Sequence, residues 1–200
     1  MSMLVSRMKE WRRRTWEIER RVAVLFATSG ILLAALNVAL VTQNQTLKKG
    51  WNEFPPLKPG DVLPPLNGFD PAGNVVRLDY KNEQKTVLLV FSPNCGWCTR
   101  NMANWRTLVA NVDVKRFRFV AVSVSSDGAE EYLRKREKIE IPLIVEPNAR
   151  EAIVYRMFHT PMTIVIGGDS RVEQIWQGAL IEDQVDEVER YFGINLPGLT

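Results

Sequence analysis

Cysteine and histidine are scarce in this chain, whose 200 residues include two cysteines and one histidine. Two cysteines are too few for a scaffold stapled by several disulfides. They are also too few for a zinc site with four cysteine ligands. The two residues are Cys95 and Cys98, and a spacing of three residues points to redox chemistry instead.

The chain also lacks a basic excess in the part that is expected to fold. Residues 1–21 carry seven Arg or Lys and three Glu, whereas the remaining residues carry 19 basic and 20 acidic side chains. A nucleic-acid-binding domain needs basic residues clustered on its folded surface. Here the basic excess lies on a short arm before an apolar run, so we expect no nucleic-acid partner. The overall composition, 46% apolar and 24% charged, is typical of a chain with a buried core.

Residues 22–41 form an uncharged run, from Val22 to Val41, that predicts a transmembrane helix. Twenty residues of helix extend about 30 Å, which matches the hydrocarbon thickness of a bilayer. Arginines in residues 1–21 outnumber the lysines that follow the run, so this basic leader is expected in the cytoplasm. The rest of the chain then lies on the periplasmic or extracytoplasmic side of a bacterial inner membrane. The alternative is a cleaved signal peptide, although the leader and the run are long and no A-x-A site follows.

The chain after this run divides into a linker and one domain. Residues 42–65 contain five prolines, which predicts a stiff extended linker. Residues 66–200 alternate apolar strand patterns with helical ones, as in an α/β domain. The predicted strands are 66–69 and 75–78, which form a hairpin, then 87–91, 117–125, 143–145, 162–166 and 172–176. The predicted helices begin near residues 96, 128, 148 and 181. The second extends to residue 138, with Asp127 and Glu130 as a possible capping box, and the third extends to about residue 158.

The sequence Cys95-Gly96-Trp97-Cys98 follows the apolar run at 87–91 and opens a helix. Unsatisfied N–H groups at a helix N-terminus favour an anion, so the pKa of Cys95 is expected to be lowered. We therefore expect Cys95 to be the attacking thiol. Cys98 lies one helical turn later, on the same side, and is expected to be the resolving thiol that forms a redox-active disulfide with Cys95.

On these residues the chain resembles the thioredoxin superfamily over roughly residues 60 to 195. Together the anchor, proline-rich linker, hairpin and Cys-Gly-Trp-Cys motif look like the TlpA/ResA-like membrane-anchored thiol-disulfide oxidoreductases. The resemblance implies a thioredoxin-like fold, in which helices flank a mixed central sheet with an N-terminal β-hairpin. It also implies disulfide exchange with extracytoplasmic protein thiols, in cytochrome or metalloenzyme maturation. The expected partners are protein clients and a membrane or periplasmic redox partner, with no cofactor and no metal.

The resemblance also assigns a substrate-binding role to Thr160 and Pro161. The family has a cis proline before its penultimate strand, and Pro161 matches it by position. The backbone of Thr160 would then pair with an extended partner. The alternative is a trans proline at the start of an edge strand. Trp97 is expected either to contact a partner or to face solvent.

Three positions depart from the family pattern. Leu89 stands where thioredoxins have a buried aspartate, and Asn101 stands where many TlpA/ResA-like proteins have a glutamate. Asn94 replaces the tryptophan that often precedes the first cysteine. The sequence therefore names no acid to take the proton of Cys98, which leaves through water or through a group elsewhere in the chain. The direction of electron flow stays open as well.

Two other functions fit the same pair of thiols. The first is a copper or haem chaperone, in which His159 is a candidate third ligand, although copper-delivery proteins of this superfamily usually separate their cysteines by three residues. The second is a peroxiredoxin-like peroxidase that resolves a sulfenic acid on Cys95. Ser92 occupies the position of its usual threonine, but Val87 stands in the region where a proline is required.

Overall fold

The structure, a computed structural model, describes residue 16 and residues 20–43 and 55–199. The chain forms two compact units, Met1–Pro55 and Pro56–Thr200. Most of the basic leader and residues 44–54 of the predicted linker lie outside the described residues.

The described part of the first unit contains helix α1, Arg20–Gln43. Its 24 residues are long and apolar enough to cross a membrane, and its side chains are exposed. The predicted span, residues 22–41, lies within α1. A helix that satisfies all its backbone groups internally is one of the two structures that bilayers accept. The sequence therefore predicted an apolar helix here, and α1 extends two residues beyond each end of the predicted run.

A seven-stranded mixed sheet forms the centre of the second unit. Its strand order is β2-β1-β5-β4-β3-β6-β7, with β4 parallel to both β3 and β5 and the other pairs antiparallel. The strands are β1 Leu66–Phe69, β2 Val75–Leu78, β3 Lys85–Phe91, β4 Phe117–Ser123, β5 Leu143–Val145, β6 Met162–Ile166 and β7 Val172–Gln177. The helices are α2 Gly96–Asn111, a π-helix Glu131–Arg136, α3 Ala149–Val154 and α4 Glu182–Phe192. This arrangement confirms the predicted fold class.

Strand β3 is central because both of its faces are covered. Successive side chains of a strand point to opposite faces of the sheet. Val87, Leu89 and Phe91 accordingly pack in one hydrophobic cluster with α2 and α4. Leu88 and Val90 pack in the other, on the face that holds Tyr80 and Tyr155. The unbroken apolar run at 87–91 is thus a strand buried on both sides, as the sequence predicts. Cys95 follows four residues after the end of this strand.

The domain begins earlier than residue 66. Leu57 and Leu63, in the predicted linker, are 7% and 2% exposed and belong to the core. Gly60 donates a backbone hydrogen bond of 2.8 Å to Val172, and Val62 pairs with Arg171 at the outer edge of β7. A proline-rich segment can lie at the edge of a sheet, because the missing N–H of proline leaves no sheet hydrogen bond unmade on the side that faces solvent. The last residues of the predicted linker therefore form a strap on the folded domain.

The segment after β4 also differs from its prediction. The expected helix over residues 128–138 is π-helical at Glu131–Arg136, and Glu130 makes no side-chain capping hydrogen bond. The π-helix packs Tyr132 on Phe91, with ring centroids 5.7 Å apart. The helix expected from residue 148 to residue 158 is shorter than predicted and ends at Val154. Arg156, just beyond it, has a φ of 56°, which an α-helix cannot continue through.

Candidate active site

Cys95 is the N-cap residue of α2. Its backbone is extended, with φ −93° and ψ 110°, and its N–H bonds to the Ser92 carbonyl at 3.1 Å. Its Sγ accepts the N–H of Cys98 at 3.2 Å. An N-cap side chain usually supplies an oxygen that accepts one of the orphan N–H groups of the first turn. In this helix a sulfur takes that place, where negative charge is favoured.

Two opposing effects act on the pKa of Cys95. Partial burial raises the pKa, but the hydrogen bonds with Cys98 and with the Thr160 side chain outweigh it and lower the pKa below its ordinary value. The N–H groups of Trp97 and Cys98 act in the same direction. The sulfur remains partly exposed. Cys95 therefore combines access to solvent with a stabilised thiolate, which are the two properties of a nucleophilic cysteine.

Cys98 lies one turn further into the same helix and has no exposed surface. Burial, followed by its hydrogen bond with Cys95, raises the pKa of Cys98 to about 12. Both thiols are free. Two cysteines three residues apart thus differ in both exposure and acidity.

Thr160 and Pro161 lie beside Cys95. The peptide bond between them is cis, as the resemblance implied. The Cys95 thiol donates to the Thr160 carbonyl at 3.4 Å, an interaction open only to the protonated sulfur. The Pro161 carbonyl accepts the N–H of Gly178 at 2.9 Å, which ties this segment to the end of β7. The start of β6 therefore places backbone polar groups at the sulfur.

A groove of about 470 Å³ begins at these residues. We call it the β7–α4 groove, because one wall is the loop that joins those elements. Trp97 also lines the groove and is 54% exposed, and the Arg100 guanidinium lies 5.0 Å from its ring centroid. The residues that line the groove are Trp97, Thr160, Pro161, Gln177, Gly178, Ala179, Ile181, Glu182, Asp183 and Gln184. The structure thus brings Trp97 together with Thr160 and Pro161 next to Cys95.

Asn101 has a role that the sequence did not reveal. It is fully buried, and its Oδ1 accepts the N–H of Leu180 at 3.0 Å and the Nδ2 of Asn104 at 3.1 Å. Leu180 lies in the loop that forms the groove wall, so Asn101 joins the motif helix to that wall. The Asn101 side chain therefore forms structural hydrogen bonds and does not serve as an acid for Cys98. The feature of the sequence that could have indicated this role is the pair of asparagines, Asn101 and Asn104, on the apolar side of α2.

Tyr132 is a second residue near the thiols that the sequence did not single out. Its hydroxyl lies 3.0 Å from Thr99 Oγ1, and burial raises its pKa, with a smaller contribution from the negative charge that Cys98 would carry. Its position depends on the π-helix, which no periodicity predicted.

Leu89, at the place of the thioredoxin aspartate, is buried among apolar side chains.

Metal ligation receives no support from the described part of the chain. Within residues 20–43 and 55–199, no group of three or more His, Cys, Asp or Glu lies close enough together to hold a metal ion. His159 is next to Thr160 in sequence, yet it does not complete such a group with the two cysteines. The copper alternative therefore lacks its third ligand among these residues.

The fold is shared with several solved structures. The thioredoxin domain of a thiol-disulfide oxidoreductase from Bacteroides vulgatus is 21% identical with a TM-score of 0.52, and the match covers 68% of this chain and 99% of that one. A putative thiol:disulfide interchange protein DsbE from Chlorobium tepidum is 20% identical with a TM-score of 0.55, over 68% and 97%. A peroxiredoxin-like protein from Aquifex aeolicus is 14% identical with a TM-score of 0.55, over 70% and 88%. At these identities the similarity shows the fold alone.

Sequence comparison identifies the family. No curated protein matches the chain. The AhpC/TSA family, however, matches residues 59–175, which include most of the strap, both cysteines, Thr160 and Pro161. The match spans more than half of the chain and agrees with the thioredoxin-like fold and with the resemblance to TlpA/ResA-like proteins. The chain therefore belongs to the AhpC/TSA family of thioredoxin-like proteins.

Proposed function

We propose that this protein is a membrane-anchored thiol-disulfide oxidoreductase that exchanges disulfides with extracytoplasmic protein thiols. One observation carries the proposal: the contrast between Cys95 and Cys98. Cys95 is partly exposed and its pKa is lowered by hydrogen bonds at the start of α2, whereas burial raises the pKa of Cys98. A thiolate is the nucleophile in disulfide exchange, so Cys95 is the thiol that reacts with a client.

The reaction proceeds through a mixed disulfide. The Cys95 thiolate attacks one sulfur of a client disulfide, a bond forms between them, and the other client sulfur leaves as a thiolate. Cys98 then loses its proton and attacks the Cys95 sulfur, which forms the Cys95–Cys98 disulfide and releases the second client sulfur. The client gains two electrons, and its leaving thiolate or water takes the proton. The same steps in reverse oxidise a client.

The raised pKa of Cys98 supports this order of events. Near neutral pH the buried thiol stays protonated, so it does not compete with Cys95 for the client. Its position three residues after Cys95, where its N–H already bonds to the Cys95 sulfur, keeps it next to the atom that it must attack. Cys98 is thus unreactive toward outside partners and well placed for the second step.

Thr160 and Trp97 supply the proposed client contacts. Among the described residues the Thr160 N–H has no backbone hydrogen-bond partner, and its carbonyl lies at Cys95. An extended client segment would form strand-like hydrogen bonds there, beside the sulfur that it reacts with. Trp97, with half of its surface exposed, would pack on the same segment.

Helix α1 supports the proposed location. We place α1 across a bacterial inner membrane with the arginine-rich leader in the cytoplasm, so that the domain is periplasmic or extracytoplasmic. Disulfides persist on that side, where maturation of cytochromes or metalloenzymes would provide the clients. A membrane-impermeant maleimide added to spheroplasts should label Cys95 before lysis. Labelling only after lysis would place the domain in the cytoplasm.

A trapping experiment tests the roles of the two thiols. The Cys98→Ser variant should accumulate mixed disulfides with client proteins, visible as adducts on non-reducing gels and identified by mass spectrometry. The Cys95→Ser variant should accumulate none, and the double variant serves as the blank. Adducts formed mainly by Cys95→Ser would reverse the assigned roles.

Two further measurements separate the alternatives. Reduced protein that consumes hydrogen peroxide rapidly, with a sulfenic acid formed on Cys95, would indicate a peroxidase instead. Tight stoichiometric binding of copper(I) or haem without disulfide exchange would indicate a chaperone. We expect rapid exchange with protein disulfides and neither of those outcomes.

A further inference from the structure

The β7–α4 groove has a floor of apolar side chains. Ile181 and Trp97, which both line it, are 53% and 54% exposed. Pro161 and Ala179 also line it and are buried. The groove starts at Thr160, whose carbonyl accepts from Cys95 at 3.4 Å. Apolar surface of this size next to a reactive sulfur is a place for a bound segment to pack.

The α4 side of the groove carries two carboxylates, those of Glu182 and Asp183. Glu182 and Asp183 are exposed, and neither forms an ion pair with any residue in the described part of the chain. Gln184 lines the same side, and its Oε1 is buried without a hydrogen-bond partner among the described residues. The first turn of a helix tolerates carboxylates, but that preference does not account for the unpaired amide oxygen. The two carboxylates together present negative charge to whatever occupies the groove.

The backbone at Glu182 adds a further observation. Its φ is 35°, in the left-handed region that non-glycine residues rarely occupy. Strained residues of this kind cluster at binding and catalytic sites. Glu182 and Asp183 line the groove where α4 begins, and the groove is therefore negative there.

We propose that this groove selects clients in which a lysine or arginine lies about two residues from the reactive cysteine, beside an apolar side chain. The inference rests on the proposed function. An extended segment advances about 3.3 Å per residue, so a side chain two positions beyond the client cysteine reaches well into the groove from Cys95. A cation there faces the carboxylates of Glu182 and Asp183, while the apolar side chain packs against Ile181. Opposite charges at such a rim act mainly on the rate of association.

The experiment measures the first exchange step with synthetic probes. Each probe is a short peptide with one cysteine held in a mixed disulfide with a nitrothiobenzoate group. The Cys95 thiolate of the full-length Cys98→Ser protein, in uncharged detergent, attacks the peptide sulfur and releases the coloured aryl thiolate. Two peptides differ only in Lys or Glu at the second position after the cysteine. At low ionic strength we expect the Lys peptide to react about tenfold faster.

The charge of the groove is then removed. In the Cys98→Ser protein that also carries Glu182→Gln and Asp183→Asn, the ratio of the two rates should fall to within about twofold, and salt at about 1 M should have the same effect on the unaltered groove. The matched control carries Asp186→Asn and Glu140→Gln, two exposed acids outside the groove, and should keep the ratio. A small uncharged aryl disulfide, which does not enter the groove, should react at the same rate with every variant.

The outcomes separate this inference from the function on which it rests. Equal rates for the two peptides, or a ratio that survives both the substitutions and the salt, would overturn the charge selection while leaving disulfide exchange intact. No aryl thiolate release with either peptide would overturn the proposed exchange itself. The salt series uses the unaltered groove, so it decides the question even if the double substitution perturbs folding.

Discussion

The first turn of α2 and the remainder of that helix adjoin in sequence but lie in opposite surroundings. Gly96 and Trp97 are exposed and Cys95 is partly so, whereas Asn101, Met102, Asn104, Trp105 and Leu108 are buried. The first turn directs N–H groups at the sulfur of a partly exposed cysteine. The remainder fixes the helix on the sheet. Substitutions in the two regions should therefore separate stability from reactivity, with Cys98 at the boundary between them.

Replacing Trp105 should give the largest effect, and the effect should be on stability. The side chain is fully buried, and its Nε1 donates to Thr163 Oγ1 at 3.0 Å. Trp105→Ala should lower the free energy of unfolding by about 4 kcal/mol, since it leaves a large cavity and an unpaired hydroxyl. Denaturant unfolding of the full chain measures this. Trp105→Phe keeps most of the ring and should lose clearly less, and a loss under about 1 kcal/mol for the alanine variant would contradict the comparison.

Alkylation should reveal a large difference between the two thiols. The ordinary pKa is 9.0, that of Cys95 lies below it and that of Cys98 is about 12. The thiolate fraction near neutral pH then differs by about a thousandfold or more, while the lower nucleophilicity of the more acidic thiolate offsets part of this. Iodoacetamide should modify Cys95 at least about fiftyfold faster, given that Cys98 is also shielded by burial.

The pH profile of this reaction gives the sign of each shift. Alkylation requires the thiolate, so the Cys95 rate should rise with pH and reach half of its maximum below pH 9. The Cys98 rate, measured in Cys95→Ser, should stay low across that range. Mass spectrometry of the reduced protein with limiting reagent identifies the modified thiol. Comparable labelling of Cys98 near neutral pH would show that burial does not separate the two sulfurs.

Asn101→Ala tests the bond between α2 and the groove wall. The variant leaves the buried N–H of Leu180 without a partner, which should cost about 2 kcal/mol of unfolding free energy. Asn104→Ala is the matched control. It is equally buried, but its Oδ1 already lacks a partner and the bond to Leu180 survives its loss. Denaturant unfolding should therefore rank Asn101→Ala as the more damaging, and the opposite ranking would remove Asn101 from this role.

Local patterns predicted what is local in this molecule. The run at 87–91, the helix that begins near residue 96 and the hairpin of residues 66–69 and 75–78 are each formed by residues close together in sequence, so periodicity and turn chemistry were sufficient. The cis bond before Pro161 came from the resemblance, because no pattern within a single chain distinguishes cis from trans proline.

The features that were missed depend on contacts between distant segments. Leu57 and Leu63 are single leucines in a proline-rich stretch, and they are buried because the strap pairs with β7, more than 100 residues away. Likewise, Asn101 finds its partner at Leu180, 79 positions later. A backbone N–H that needs a partner leaves no trace in the sequence. These contacts, and with them the negative side of the groove, therefore required the structure.

Trp97→Ala should have the smallest effect on stability of these substitutions, in contrast to Trp105→Ala in the same helix. The ring is half exposed, and its contact with Arg100 is at the surface, where a cation–π pair contributes about 0.5 kcal/mol. Unfolding free energy should change by no more than that, while exchange with protein disulfides slows and exchange with a small disulfide does not. Trp97→Phe, which keeps an aromatic ring, should recover most of the rate. Equal slowing with both kinds of disulfide would mean that Trp97 affects the reactivity of Cys95 and does not contact the client. The first turn of α2 would then have no role in client recognition through this side chain.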